Sequence, residues 1–186
     1  VKALKAIQRN WVLYSIGHHR RAQLIQDKLP PLKEKRQPFP VTLPTSPLGS
    51  WTLWDANTLI ASPNCTAAFP HGRIKFEEDR DNPPNRAYLK LWEALTLYHQ
   101  RPGKGDKALD VGASPGGWSW VLQQCGADVL AVDKAPLADN IARLPGITWH
   151  EGSAFALDPA DYPDVTWLVS DIICYPDRLL GFIKNW

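Results

Sequence analysis

The chain has 186 residues, 44% of them hydrophobic and 22% charged, with a formal net charge of +2. This is the composition of a globular protein with room for a sizeable core, and no stretch reaches the roughly 18 uninterrupted apolar residues of a membrane span. Cys65, Cys125 and Cys174 stand far apart, which argues against a disulfide framework or a paired-cysteine metal site and leaves reduced thiols of a cytoplasmic protein as the expectation.

The small net charge hides an asymmetry. Residues 1–36 hold nine Lys/Arg against two Asp/Glu, and the rest hold twelve against seventeen. A basic front of this kind fits either a nucleic-acid footprint or the solvated face of a helix. No charged-then-apolar leader is visible. The chain opens at Val1 and contains no methionine, so it is expected to be a piece of a longer protein.

Leu4, Ile7, Trp11 and Tyr14 recur at helical spacing, as do Ala22, Ile25 and Leu29. Residues 2–29 therefore read as largely helical, with a break at Gly17-His18-His19. Six prolines from Pro30 to Pro47 exclude a helix there and predict an extended linker or edge. Residues 51–54 and 58–60 flank Asp55-Ala56-Asn57, the pattern of a hairpin. Beyond the break at Asn82-Pro83-Pro84-Asn85, a helix is expected over 86–98, burying Leu89, Trp92, Leu95 and Leu97. From there strands (108–111, 128–132, 147–150, 166–170) alternate with helices (117–124, 137–143, 177–185). Such alternation means a parallel sheet with helical crossovers. The expected division is a basic helical and Pro-rich segment over 1–48, read as the end of an RNA-binding domain, a hairpin and connector over 49–85, and an α/β domain over 86–186.

The chemistry concentrates in the loop after the first strand of that domain, Asp110-Val111-Gly112-Ala113-Ser114-Pro115-Gly116-Gly117-Trp118. Gly112 permits a sharp turn, and Gly116 and Gly117 would let a ligand approach the backbone where a helix begins. Asp133 follows Gly112 by 21 residues, at the end of the second strand, where an acid can accept both ribose hydroxyls of an adenosine. A nicotinamide site would show Gly-x-Gly-x-x-Gly. Here Ser114 holds the second glycine position and Pro115 follows, a loop poorly made for a pyrophosphate. Trp118 and Trp120 could stack on a base, but packing of the helix on the sheet is the preferred reading.

This loop resembles the first motif of the FtsJ-like ribose 2′-O-methyltransferases. Ala131-Val132-Asp133-Lys134-Ala135-Pro136-Leu137 is similar to that family's second cofactor motif, Ser170-Asp171 to its catalytic aspartate, and the 86–94 segment to the helix bearing its first catalytic lysine. Within the family the likeness is to the RlmM type, which 2′-O-methylates a cytidine of bacterial large-subunit ribosomal RNA. Arg73-Ile74-Lys75-Phe76 fits that type too.

The resemblance covers residues from about 70 onward. It implies a Rossmann-like S-adenosylmethionine-dependent fold, incomplete in this chain, behind a smaller basic N-terminal segment. It implies S-adenosylmethionine as cofactor, RNA as partner, and neither a metal nor a membrane. Lys90 and Asp171 would be two members of a Lys-Asp-Lys-Glu catalytic set whose other members follow a fifth strand. Gly112, Ser114, Pro115, Gly116, Gly117, Trp118, Asp133, Asp171 and Ala87 would contact the cofactor. Ser153 stands where the family carries an acid near the adenine, with Glu151 as a substitute. The competing readings are an NAD-dependent Rossmann oxidoreductase and a non-catalytic cofactor- or RNA-binding module.

Overall fold

One tryptophan organises the front of the chain. Trp11 is fully buried, and its indole N–H donates to the carbonyls of Leu4 (2.9 Å) and Gln8 (3.0 Å). These carbonyls belong to the last turn of helix α1 (Lys2–Ile7) and to its C-cap, and the Leu4 carbonyl also accepts the Gln8 N–H at 3.2 Å. Trp11–Leu13 is itself a strand, β1. The reading of 2–29 as largely helical, broken only at 17–19, is thereby corrected: α1 stops, β1 follows, and helix α2 runs over His19–Gln26. The reason is tertiary. β1 pairs in parallel with β2 (Gly49–Leu53), placing Trp11 opposite Gly49. A Cβ at Gly49 would lie 2.6 Å from the Trp11 ring, so glycine is what lets the indole lie flat against β2. Three residues are too few to show a period, and their partner is remote in sequence.

The expected hairpin is present. β2 pairs antiparallel with β3 (Leu59–Ser62), and the Asp55 carboxylate accepts the N–H groups of Asn57 and Thr58, both at 2.7 Å. Leu4, Trp11, Ala22, Leu29, Trp51 and Leu53 form the core beneath. The Pro-rich stretch contains no helix and makes a single bridge, Gln37 to Phe76.

The computed structural model describes residues 1–186 and groups them into two units, Val1–Glu77 and Glu78–Trp186. The hairpin read as a connector thus lies within the front unit, because β1 inserts it into a three-stranded sheet.

The second unit begins with helix α3 (Tyr88–Tyr98), whose buried residues are Tyr88, Leu91, Trp92, Leu95 and Thr96. This stripe follows the i, i+3, i+4, i+7 spacing from Tyr88. Leu97, expected inside, is off the stripe and 47% exposed, and Leu89 is only half-buried. Four strands then alternate with helices: β4 (Lys107–Val111), α4 (Gly117–Gln124), β5 (Asp128–Asp133), α5 (Asp139–Ala142), β6 (Ile147–Glu151), β7 (Trp167–Ser170) and α6 (Pro176–Asn185). The strands are all parallel, in the order β6-β5-β4-β7. The chain moves outward from β4 to β6 and then returns to the other side of β4. This makes the carboxyl end of β4 a topological switch point, where open α/β sheets bind their ligands.

Candidate active site

The Gly-rich loop leaves β4 at that switch point. Gly112 has φ of +78° and Gly116 of +109°, left-handed conformations that strain any other residue. Packing imposes the same choice. A Cβ at Gly112 would lie 2.8 Å from Ile172 Cγ1, and one at Gly116 would lie 2.7 Å from Ile141 Cγ2. A Cβ at Gly117 would collide with the Asn85 side-chain amide. Gly116 and Gly117 therefore make room for the protein's own side chains, Ile141 and Asn85, in addition to the role in ligand approach that the sequence suggested.

Hydrogen bonds hold the loop rigid. The Asp133 carboxylate accepts the N–H of Ser114 at 3.0 Å on one oxygen and that of Ala135 at 2.9 Å on the other. The Ser114 hydroxyl donates to the Pro136 carbonyl at 2.9 Å, and the Ala138 N–H to the Pro115 carbonyl at 3.0 Å. Two motifs separated in sequence thus brace each other. Each Asp133 oxygen has accepted one N–H and retains a lone-pair site for a further donor.

Beside this loop lies a cleft of about 410 Å³, within the roughly 300–1,000 Å³ of small-molecule sites. It is lined by five of the residues singled out from the sequence, Gly112, Ser114, Asp133, Ser153 and Asp171. Pro115, Gly116, Gly117, Trp118, Ala87 and Glu151 do not line it. Ala87 and Trp118 instead meet each other, the Trp118 indole N–H donating to the Ala87 carbonyl at 2.9 Å. That bond ties the start of α4 to the N-cap of α3. Trp120 is buried against Tyr88 and Trp92, as the packing reading expects.

Lys90, on the first turns of α3, reaches Asp171 just beyond β7. Its ammonium donates to both carboxylate oxygens, at 3.0 and 2.9 Å. The side chains are 64% and 40% exposed, so the pair adds little to stability while leaving a cation held at the rim of the cleft.

Three residues were given no role of their own from the sequence, although Asp110 opens its central motif. Asp110 is 1% exposed in the middle of a buried strand. Burial pushes its carboxyl up to about 7, opposed by the Ser119 hydroxyl, which donates at 2.7 Å, and reinforced by the charges of Asp133 and Asp171. A lone acid among Ala108, Leu109 and Val111 was the available signal. The other two, Phe155 and Arg178, also line the cleft, with the guanidinium 3.8 Å from the ring centroid. They come from a turn and a helix with no local pattern to mark them.

A parallel sheet with a braced Gly-rich loop at its switch point, a strand-end acid and a Lys–Asp pair defines a Rossmann-like methyltransferase fold. Residues 83–177, half of the chain, match the FtsJ-like methyltransferase family, and the chain belongs to that family, whose cofactor is S-adenosylmethionine.

Among the curated relatives it matches is the ribosomal RNA large subunit methyltransferase M of Halorhodospira halophila. It is 39% identical over 108 residues, covering 56% of this chain and 31% of that protein. The protein of the same name from Azotobacter vinelandii is 34% identical over 138 residues, covering 68% and 37%. The chain thus spans about a third of the length of these relatives. A solved structure of a Lactococcus lactis protein, described as a hemolysin, shares the fold with TM-score 0.50 and 27% identity, covering 56% of this chain and 53% of that one.

The residues present fit S-adenosylmethionine. The cleft is of ligand size, Gly112 and Gly152 line it with backbone alone, and Asp133 offers paired acceptors.

Proposed function

We propose that this chain is the cofactor-binding part of an RNA methyltransferase that acts on a ribose 2′-hydroxyl of large-subunit ribosomal RNA, in the cytoplasm. The observation that carries the reading is the Lys90–Asp171 pair, set at the rim of the cleft that contains Asp133. Asp133 would hold the ribose hydroxyls of S-adenosylmethionine, Gly112 and Ser114 the methionine end, and Ser153 the adenine side. When bound, that cofactor supplies an electrophilic methyl carbon. The chain's own task is then to position a weak nucleophile and stabilise its developing charge. Holding the reacting atoms in line supplies much of the rate. Lys90, its head fixed by two hydrogen bonds to Asp171, would orient the substrate ribose and stabilise negative charge growing on its 2′-oxygen.

The test is incubation of the protein with labelled S-adenosylmethionine and unmodified ribosomal RNA, followed by mapping of the label. A methyl on one ribose 2′-oxygen is expected, and a methyl on a base, or none, overturns the reading. Lys90→Ala is expected to lower transfer by about 10²-fold or more while leaving the affinity for S-adenosylhomocysteine, measured by calorimetry, unchanged.

A further inference from the structure

The front unit contains a second cleft, of about 250 Å³, built wholly from its own residues. Lys33, Lys35, Arg73 and Lys75 all line it. The two basic stretches are far apart in sequence, and backbone hydrogen bonds bring them side by side. The Gln37 N–H donates to the Lys75 carbonyl at 2.8 Å, and the Glu77 N–H to the Gln37 carbonyl at 2.9 Å.

Strand-like alternation then sorts the second stretch. Ile74 and Phe76 are buried, while Arg73 and Lys75 are exposed. The cations therefore stand on a backbone anchored by its apolar partners. Glu34 is the only acid lining the cleft, and it is engaged by Lys75. Lys33, Lys35 and Arg73 make no ion pair, although each contributes to the same concavity. Phe69, Pro47 and Leu48 add apolar and aromatic lining to the same cleft.

Cations beside aromatic and proline lining match the chemistry of a single-stranded nucleic acid, whose phosphates are anionic and whose bases and sugars present flat, weakly polar faces. An acidic protein surface would satisfy the cations but leave the apolar lining without a partner.

We propose that the Lys33–Lys35–Arg73–Lys75 cleft of the front unit is a binding site for a nucleotide segment of single-stranded RNA, separate from the cofactor cleft. It rests on the reading of the protein as an RNA methyltransferase and adds to it the place where the RNA is gripped.

The experiment measures the anisotropy of a fluorescein-labelled single-stranded RNA titrated with the protein at several salt concentrations. The double variant Lys35→Glu/Arg73→Glu is compared with the charge-keeping Lys35→Arg/Arg73→Lys. Charge reversal is expected to weaken binding at least tenfold and to lower the slope of log affinity against log salt by about 1.4, the contribution of two phosphate contacts to a single strand. The charge-keeping variant is expected to bind as the unaltered protein does. Amide exchange across β1, β2 and β3, measured on the same samples, should match the unaltered protein in either variant, which shows that the front unit stays folded, and S-adenosylhomocysteine affinity should not change. Unchanged RNA affinity and salt slope in the charge-reversed protein overturn the proposal, as does equal binding of polyglutamate and RNA. Failure of the unaltered protein to bind S-adenosylhomocysteine would instead strike at the methyltransferase reading, which this cleft does not test.

Discussion

The two units are opposites in charge and in how their structure arises. Val1–Glu77 contains eleven Lys/Arg and four Asp/Glu, and Glu78–Trp186 contains ten and fifteen. The front is thus about +7 and the rear about −5. A uniformly basic protein would attract polyanions everywhere. Segregation restricts that attraction to one unit, while the rear keeps acids for its cofactor cleft. The architecture divides the same way. The rear repeats one local rule, strand then crossover, so its parallel sheet follows from sequence order. The front joins a three-residue strand, a remote hairpin and a Pro-rich segment, and holds them by the contacts of Trp11 and by the Gln37–Phe76 bridge.

The contrast can be broken experimentally. The largest effect is expected at Trp11. Trp11→Ala removes a fully buried ring and two hydrogen bonds to carbonyls, at a cost of about 3–5 kcal/mol. Amide exchange should accelerate across α1, β1 and β2 while S-adenosylhomocysteine affinity persists. Loss of that affinity would show that the rear site depends on the front core.

Asp133→Ala should act in the opposite sense. It removes the acceptor for two loop N–H groups and the acceptor proposed for the cofactor ribose, so affinity by calorimetry should fall about 10–100-fold, or roughly 1.4–2.7 kcal/mol. RNA binding by the front unit should remain.

The last change, seen only as a dependence on pH, concerns Asp110. Its carboxyl is raised to about 7 in the fold, so the native state binds its proton more tightly than the unfolded chain does. The stabilisation from that proton is complete below the unfolded value of 3.8 and is lost as pH rises through about 7. Asp110→Asn keeps an acceptor for Ser119 and carries no charge. Thermal unfolding should show a flatter profile between pH 4 and 7, with a gain on the order of a few kcal/mol above it. A variant with the same slope as the unaltered protein would mean that Asp110 is not the group that titrates.

Much of the rear unit was legible because its signals are local. The strand–loop–helix–strand–acid order placed Gly112, Ser114 and Asp133 together, and they line one cleft. Lys90 and Asp171 were legible only through family resemblance, since nothing in the intervening 80 residues says that they meet. For Gly116, Gly117, Trp118 and Ala87 the structure adds contacts that the sequence did not show. A glycine in a loop reads the same whether it makes room for a ligand or for Ile141, and a tryptophan after it does not reveal that its N–H ends on a backbone carbonyl.

By itself the sequence determined which segments are strands and helices in the second unit, which loop carries the glycines, and where the acids fall, because periodicity and turn chemistry act over a few residues. Only the tertiary structure decided that 11–13 is a strand, that Asp110 is buried without a counter-charge, and that Lys35 and Arg73 share a cleft. Each of these depends on a partner many residues away, and such pairing is settled by packing and backbone hydrogen bonds, for which local propensity is no guide.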